Sequence, residues 1–195
     1  MPTLWRDADF LRLWTGQTIS EIGTRISREG IPLTAVLVLN ANTSQMGLLV
    51  ALGGIATLFA GSWAGWHADR SRRRPTMIAA DIGRALLLAM IPLAAWQGWL
   101  SLWTLFLVVG LAGVLTVFFD VAYQSYLPSL VGRDRLLEGN SKLQLTASTA
   151  EVVGPALTGF LVQLLTAPVA ILLDACSFLA SAGAIAAIGT EEQAV

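Results

Sequence analysis

Apolar residues in this chain run in long blocks, and the interruptions between them are short. The blocks cover roughly 11–38, 46–67, 76–97, 102–124, 142–165 and 168–189. Between them stand NANTSQ (40–45), ADRSRRRP (68–75), QGWLS (97–101), SLVGRDRLLEGN (129–140) and TAP (166–168), all rich in turn formers or charge. A bilayer core is about 30 Å thick and takes ~20 apolar helical residues to cross. The pattern therefore predicts an all-α integral membrane protein with six transmembrane helices in a single domain over 1–195. A soluble all-α core is the alternative, and it does not account for such long apolar runs joined by short turns.

Charge placement orients the six spans. Arg6 and Arg12 lie at the N-terminus, Arg70, Arg72, Arg73 and Arg74 between spans 2 and 3, and Arg133, Arg135 and Lys142 between spans 4 and 5. The connections after spans 1, 3 and 5 carry no Lys or Arg. Basic residues favour the cytoplasmic side, so both termini are expected in the cytoplasm and the chain in a cell (inner) membrane. The tryptophans fall near predicted span ends, where indole rings prefer the headgroup layer. The opening MPTLWRDADF has mixed charge and no small-residue cleavage site follows it, so the first helix is expected to be retained.

The first block breaks the apolar rule. SEIGTRISREG (20–30) holds Glu21, Arg25, Arg28 and Glu29, spaced i, i+4, i+7, i+8. At 3.6 residues per turn these form one stripe, extended by Gln17 and Ser20. A single polar stripe on an apolar helix suits the wall of a water-filled cavity. The spacing also allows i, i+4 pairs, Glu21 with Arg25 and Arg25 with Glu29. Two other readings stand beside it: a loop between two shorter helices, and structural ion pairs that hold helices together. Glu151 lies about ten residues into span 5, near mid-membrane by residue count. Glu21 and Glu151 are therefore the candidates for proton coupling, since a carboxylate buried there can exchange a proton near neutral pH. Asp174 is expected to reach the outer interface, and Asp81 and Arg84, at i, i+3, to pair with each other.

Composition narrows the class. Only 13% of the 195 residues are charged and 55% are hydrophobic, against ~25% charged in soluble domains. The net charge of −1 gives no reason to expect a nucleic-acid partner. Cys176 is the only cysteine and His67 the only histidine, so no internal disulfide, Cys-based metal site or His cluster is available, and no cofactor is expected. An intramembrane serine protease would need a Gly-x-Ser-Gly nucleophile and a membrane histidine. The sequence has neither, so an enzyme is not expected.

Residues 65–74 read GWHADRSRRR, a G-x-x-x-D-R-x-x-R-R pattern between spans 2 and 3. Here the chain resembles the major facilitator superfamily of secondary transporters, whose signature loop has this form and position. Gly65 would allow close helix approach, and Arg70, Arg73 and Arg74 would face the cytoplasm. Asp120 is expected at the inner end of span 4, and the resemblance implies a charge relay of Asp69, Arg73 and Asp120 that latches one conformation; otherwise the arginine run only sets topology. Arg72 stands where the family usually has glycine. AEVVGPALTG (150–159) resembles the family's antiporter motif, with Ala150 and Thr158 in place of two glycines. It implies a kink at Gly154, Pro155 and Gly159, and the alternative is an ordinary packing kink. Ala150, Gly154 and Thr158 form a small-residue face.

FFDVAYQSYLPSLVGRDRLLEGNS (118–141) resembles the subgroup of enterobactin-exporter-like and macrolide-efflux-like permeases. The span-4 arginine of many drug–proton antiporters is missing, because Leu102–Phe119 carries no charge. The family's usual architecture is twelve helices in two six-helix halves, each of two three-helix repeats, with the substrate between the halves. This sequence would correspond to the N-terminal half, with the C-terminal half absent. The function implied is a multidrug- or siderophore-type exporter, coupled to protons and working by alternating access. Its expected partners are the lipid bilayer, a small hydrophobic or anionic organic substrate, protons, and a second six-helix half. The alternative is a non-transporting membrane fragment or an assembly partner for another six-helix protein.

Overall fold

A computed structural model describes residues 4–68 and 70–190. Six long helices account for nearly all of them: α1 (Ala8–Leu37), α2 (Thr43–Ala68), α3 (Arg73–Gln97), α4 (Leu102–Val131), α5 (Leu136–Leu165) and α6 (Ala167–Ala186). Among the described residues there is no strand. Five helices, α2 to α6, are long and apolar enough to cross a membrane. α1 has the length, 30 residues or about 45 Å, but its charges take it out of that class.

Helix ends follow local chemistry. Asp7 starts α1 by accepting from the N–H groups of Asp9 and Phe10, both at 3.2 Å. Ser101 caps α4 through the N–H of Thr104 at 3.3 Å. Gly98 closes α3 at φ 76°, a left-handed position that glycine adopts without strain. α4 and α5 both run further than the hydropathy blocks, so the connection expected at 129–140 shrinks to Gly132 and one short 3-10 turn, Arg133–Arg135. The reason is packing. Tyr126, Leu127 and Val131 continue the buried face of α4, and Gly139 on α5 sits against Leu4, Phe10 and Val131.

The helices pack in the order α2, α4, α3, α6, α1, α5, each against the next. Among the described residues, the two larger apolar cores lie one above the other, and a small third one, Ala60, Ala64 and Val117, joins α2 to α4. Of the larger two, Leu13, Met77, Tyr126 and Ile185 belong to the one nearer the arginine-rich turns, and Leu88, Ile91, Leu105 and Ile171 to the other. Between them lies a buried polar layer of Ser20, Ser27, Asp81, Arg84, Asp174, Ser177 and Ser181. Arg84 forms the expected ion pair with Asp81. Its guanidinium lies 4.5 Å from the ring centre of Phe119 and 4.1 Å from that of Phe178, and Nη1 donates to Thr116 Oγ1 at 3.4 Å. Asp174 does not reach an interface as expected. It is buried and accepts from Ser177 Oγ at 2.9 Å, because its face of α6 turns toward α1.

The α1–α6 contact explains that orientation. Gly16, Gly23 and Gly30 recur every seven residues on α1 and lie against Ser181, Ser177 and Ile171 of α6. A Cβ on Gly23 would lie 2.2 Å from Ser177 Oγ and 2.5 Å from Asp174 Oδ1. Backbone approach this close is how small residues join membrane helices. At the arginine-rich end, Asp9 ties α1 to the segment after α6. It accepts from the N–H groups of Gly189 (2.9 Å) and Thr190 (2.8 Å) and pairs with Arg12 at 2.6 Å. The Gly189 N–H is the largest of several donors that hold the Asp9 carboxyl down at about 2. The tie is complete above the ordinary carboxylate range and is lost only as pH falls through that value.

Candidate functional site

The helix row leaves a gap between α4 and α5. α1 packs on α5 and α2 on α4, but α4 and α5 touch only lightly. Between α1, α4 and α5 lies a cavity of about 750 Å³. α1 contributes Gln17, Thr18 and Glu21, α4 contributes Phe119, Asp120 and Tyr123, and α5 contributes mostly polar positions, among them Asn140, Ser141, Gln144, Thr146 and Ser148. The cavity spans the half of the bundle nearer the arginine-rich turns. A second pocket of about 320 Å³ adjoins it and shares Thr18, Leu145 and Thr146, with Ile22, Val153 and Leu157 making it apolar. Trp14 fixes the relative position of α1 and α5 by donating from Nε1 to Thr146 Oγ1 at 3.1 Å.

The charged stripe is carried by one uninterrupted helix, which removes the loop reading of 20–30. The stripe does not all face the cavity. Glu21 lines it. Arg25 leans away and pairs with Glu151 Oε1 at 3.4 Å, its stem lying over Gly154, so neither i, i+4 pair expected within α1 forms. Arg28 and Glu29 are exposed, and Arg28 lines a separate small pocket with Pro32 and Leu49. Ser20 is buried away from the cavity, and Gln17, also buried, borders the cavity while its Nε2 donates to Ser181 Oγ at 3.4 Å.

Glu151 is not buried as expected; its side chain is 66% exposed. Residue count gave its depth, but the buried face of α5 is Ala150, Gly154 and Thr158, and position 151 is rotated about 100° from Ala150. Gly154 lets α1 and α5 come close: a Cβ there would lie 2.6 Å from Arg25 Cβ. Pro155 lies inside a continuous helix and leaves the carbonyl of Glu151 without its helical donor. Gly159 has nothing within 4 Å of a Cβ position.

Of the loop residues, Asp69 lies outside the described residues. Gly65 has open space where close helix approach was expected, with nothing within 4 Å of a Cβ position. Arg70 folds back on its own helix, donating to the Trp66 carbonyl at 3.4 Å with its guanidinium 4.7 Å from the Trp66 ring centre. Arg73 is half-buried at the start of α3. Arg74 caps the end of α6 by donating to the carbonyls of Ile185 (3.1 Å) and Ala186 (2.5 Å), where the helix dipole favours a cation. Asp120 is eleven residues, about 16 Å, short of the α4 end rather than at the inner terminus, because α4 continues to Val131. It opens into the cavity, where Arg84 and Glu21 are its charged neighbours.

Comparison with known proteins places this architecture. The family model described as Major Facilitator Superfamily matches residues 13–194. The chain is 24% identical over 181 residues to an uncharacterized MFS-type transporter, YfiS, of Bacillus subtilis (strain 168), covering 93% of this chain and 42% of that protein. It is 27% identical over 155 residues to macrolide efflux protein A of Streptococcus pyogenes, covering 78% of this chain and 37% of that protein. The chain thus spans about two fifths of the length of the curated relatives it matches. Family and relatives point to a transporter rather than an enzyme, and the apolar helices to a multi-pass membrane protein. The match covers almost the whole chain, and the chain belongs to the Major Facilitator Superfamily.

Proposed function

We propose that the chain is one six-helix unit, the N-terminal one, of a secondary active exporter. It works with a second six-helix unit by alternating access and moves a small, largely apolar organic molecule against protons. The observation that carries this reading is the cavity between α1, α4 and α5, walled by polar groups inside an apolar bundle. A lipid-facing surface would have no use for such groups. The helix order supports two three-helix repeats. Exchanging α1 with α4, α2 with α5 and α3 with α6 turns the order α2, α4, α3, α6, α1, α5 into its own reverse. The two outermost helices are also the barest, with Leu58 and Phe59 on α2 and Val152 on α5 each about 80% exposed, which suits contact with lipid and with a second unit.

In this reading α1 also spans the membrane, both termini are cytoplasmic and the membrane is the inner one, as the arginine distribution favours. Glu21 takes the coupling proton at the cavity wall, while Glu151 and its partner Arg25 join α1 to α5 outside that wall. Asp69, Arg70, Arg73 and Arg74 gate the cytoplasmic side, and Gly154, Pro155 and Gly159 shape α5. The macrolide efflux relative supports an organic cargo. The test is flux of a fluorescent apolar dye across vesicles containing the purified chain. Saturable flux that collapses with a protonophore is expected, and Asp69→Asn is expected to abolish it while membrane insertion stays intact. Unchanged flux in that variant would remove the gating role. Only linear leak, equal to that of empty vesicles, would leave the chain a membrane assembly partner without transport of its own.

A further inference from the structure

We propose that α3 holds one anionic diacyl phospholipid from the leaflet on the arginine-rich side, with its phosphate at Arg72 and its two acyl chains in the grooves that flank the first turns of the helix. The site is independent of transport and rests only on the chain's spanning a membrane. It gives a role to Arg72, which stands where the resembled family usually has glycine.

α3 packs on α4 along one side and on α6 along the other, and each seam opens into a groove near its arginine-rich end. The groove toward α4, about 590 Å³, is walled by His67, Leu115 and Phe118. The groove toward α6, about 680 Å³, is walled by Ile78, Ile82 and Ala186. Arg72, Pro75 and Ala79 belong to both grooves. They are spaced i, i+3, i+7 and all are exposed, so they form a low ridge with a cation at its head and small side chains below. A glycerophospholipid has the matching outline, one charged head above two apolar tails that can part over an alanine. Ile82 and Leu86, 42% and 66% exposed, continue the ridge. From Pro75 to Leu86 is eleven residues, about 16 Å of helix, against ~15 Å for the hydrocarbon of one leaflet.

Electrostatics set the sign of the head. Among the described residues the Arg72 side chain has no hydrogen-bond or ion-pair partner. Arg70, by contrast, lies over the Trp66 ring, and Arg74 holds the end of α6. The planar fork of donors on a guanidinium fits a phosphate group. Arg74 brings a second positive charge to the α6 groove, and Ser71 a hydroxyl to the α4 groove. Among the described residues no carboxylate lines either groove, so the ammonium of a zwitterionic head would meet cations and no counter-charge. Basic pockets between membrane helices favour anionic heads for this reason.

Native mass spectrometry of the purified chain in detergent counts the lipid that stays bound. Dioleoyl-phosphatidylglycerol and dioleoyl-phosphatidylcholine, which share tails and differ in head, are titrated separately. One tightly held phosphatidylglycerol is expected per chain, with phosphatidylcholine held about 5-fold more weakly. Arg72→Gln is expected to erase that difference. Arg133→Gln removes another exposed arginine, from the turn before α5, and is expected to leave it intact. Ala79→Phe fills both grooves from an exposed position, and is expected to weaken both lipids while circular dichroism shows unchanged helix content. Inorganic phosphate is expected not to displace the lipid. The assignment is overturned when the two lipids are held alike, when Arg72→Gln and Arg133→Gln act equally, when folded Ala79→Phe binds as the parent chain does, or when phosphate alone displaces the lipid. Binding is read without flux, so a chain that moves no dye leaves this site standing, and flux without lipid preference does the reverse.

Discussion

Arg84→Met is expected to destabilise the protein severely, by about 3–5 kcal/mol, because it leaves the Asp81 carboxylate buried without its cation. Asp81 has no exposed surface and Arg84 only 5%. The same guanidinium lies in the electrostatic reach of Asp174 and Asp120, so one cation serves three carboxylates in the middle of the bundle. The cost is that of the uncompensated charge rather than of lost packing, since methionine can fill the slot between Phe119 and Phe178. The paired variant Asp81→Asn/Arg84→Met removes charge from both sides and is expected to recover much of the loss. Thermal denaturation in detergent reads the comparison. Equal loss in the single and paired variants would show that the rings, not the charge, hold this layer together.

Gly23→Ala is the second large effect. The added methyl would lie 2.2 Å from Ser177 Oγ, 2.5 Å from Asp174 Oδ1 and 2.7 Å from Ser177 Cβ, so either α1 backs away from α6 or two buried polar side chains are displaced. Overpacking of this kind costs roughly 1–3 kcal/mol. Gly54→Ala is the control, because nothing lies within 4 Å of its Cβ position on α2. There the change is expected to leave stability unchanged or raise it slightly, alanine being the better helix former. Melting temperatures that fall equally for the two variants would mean that the α1–α6 seam is not set by glycine.

Most of the fold could be read from the sequence because membrane helices announce themselves by length. The starts of α3 and α4 and the ends of α1 and α5 fall within three residues of the apolar blocks. The continuous helix through 20–30 could be read as well, since four charges on one stripe make sense only on a helix. What the blocks could not give was the direction each face points. For Glu151 and Asp174 residue count gives depth alone, and rotation about the helix axis decides both: one faces outward, the other inward. The glycines at 16, 23 and 30 carried a legible signal, a repeat of seven on a helix that must pack closely, and that signal would have turned Asp174 toward α1. Asp120 was misplaced for a different reason. The apolar block ended at 124, but Tyr126, Leu127 and Val131 extended the buried face and moved the helix end beyond it. The Arg84 layer was seen only as a local i, i+3 pair, because its ring partners come from α4 and α6 and no local pattern joins them.

Water is expected to fill the cavity between α1, α4 and α5 and to reach it from the arginine-rich side. Cysteine labelling tests it most directly. With exposed Cys176 replaced by alanine, Ser148→Cys on the cavity wall is compared with Leu58→Cys on the bare face of α2 and Ser71→Cys in the turn before α3. A membrane-impermeant maleimide is applied to vesicles of known orientation. Ser148→Cys is expected to label from the same side as Ser71→Cys while Leu58→Cys, facing lipid, stays unlabelled. A Ser148→Cys as unreactive as Leu58→Cys from both sides would contradict it.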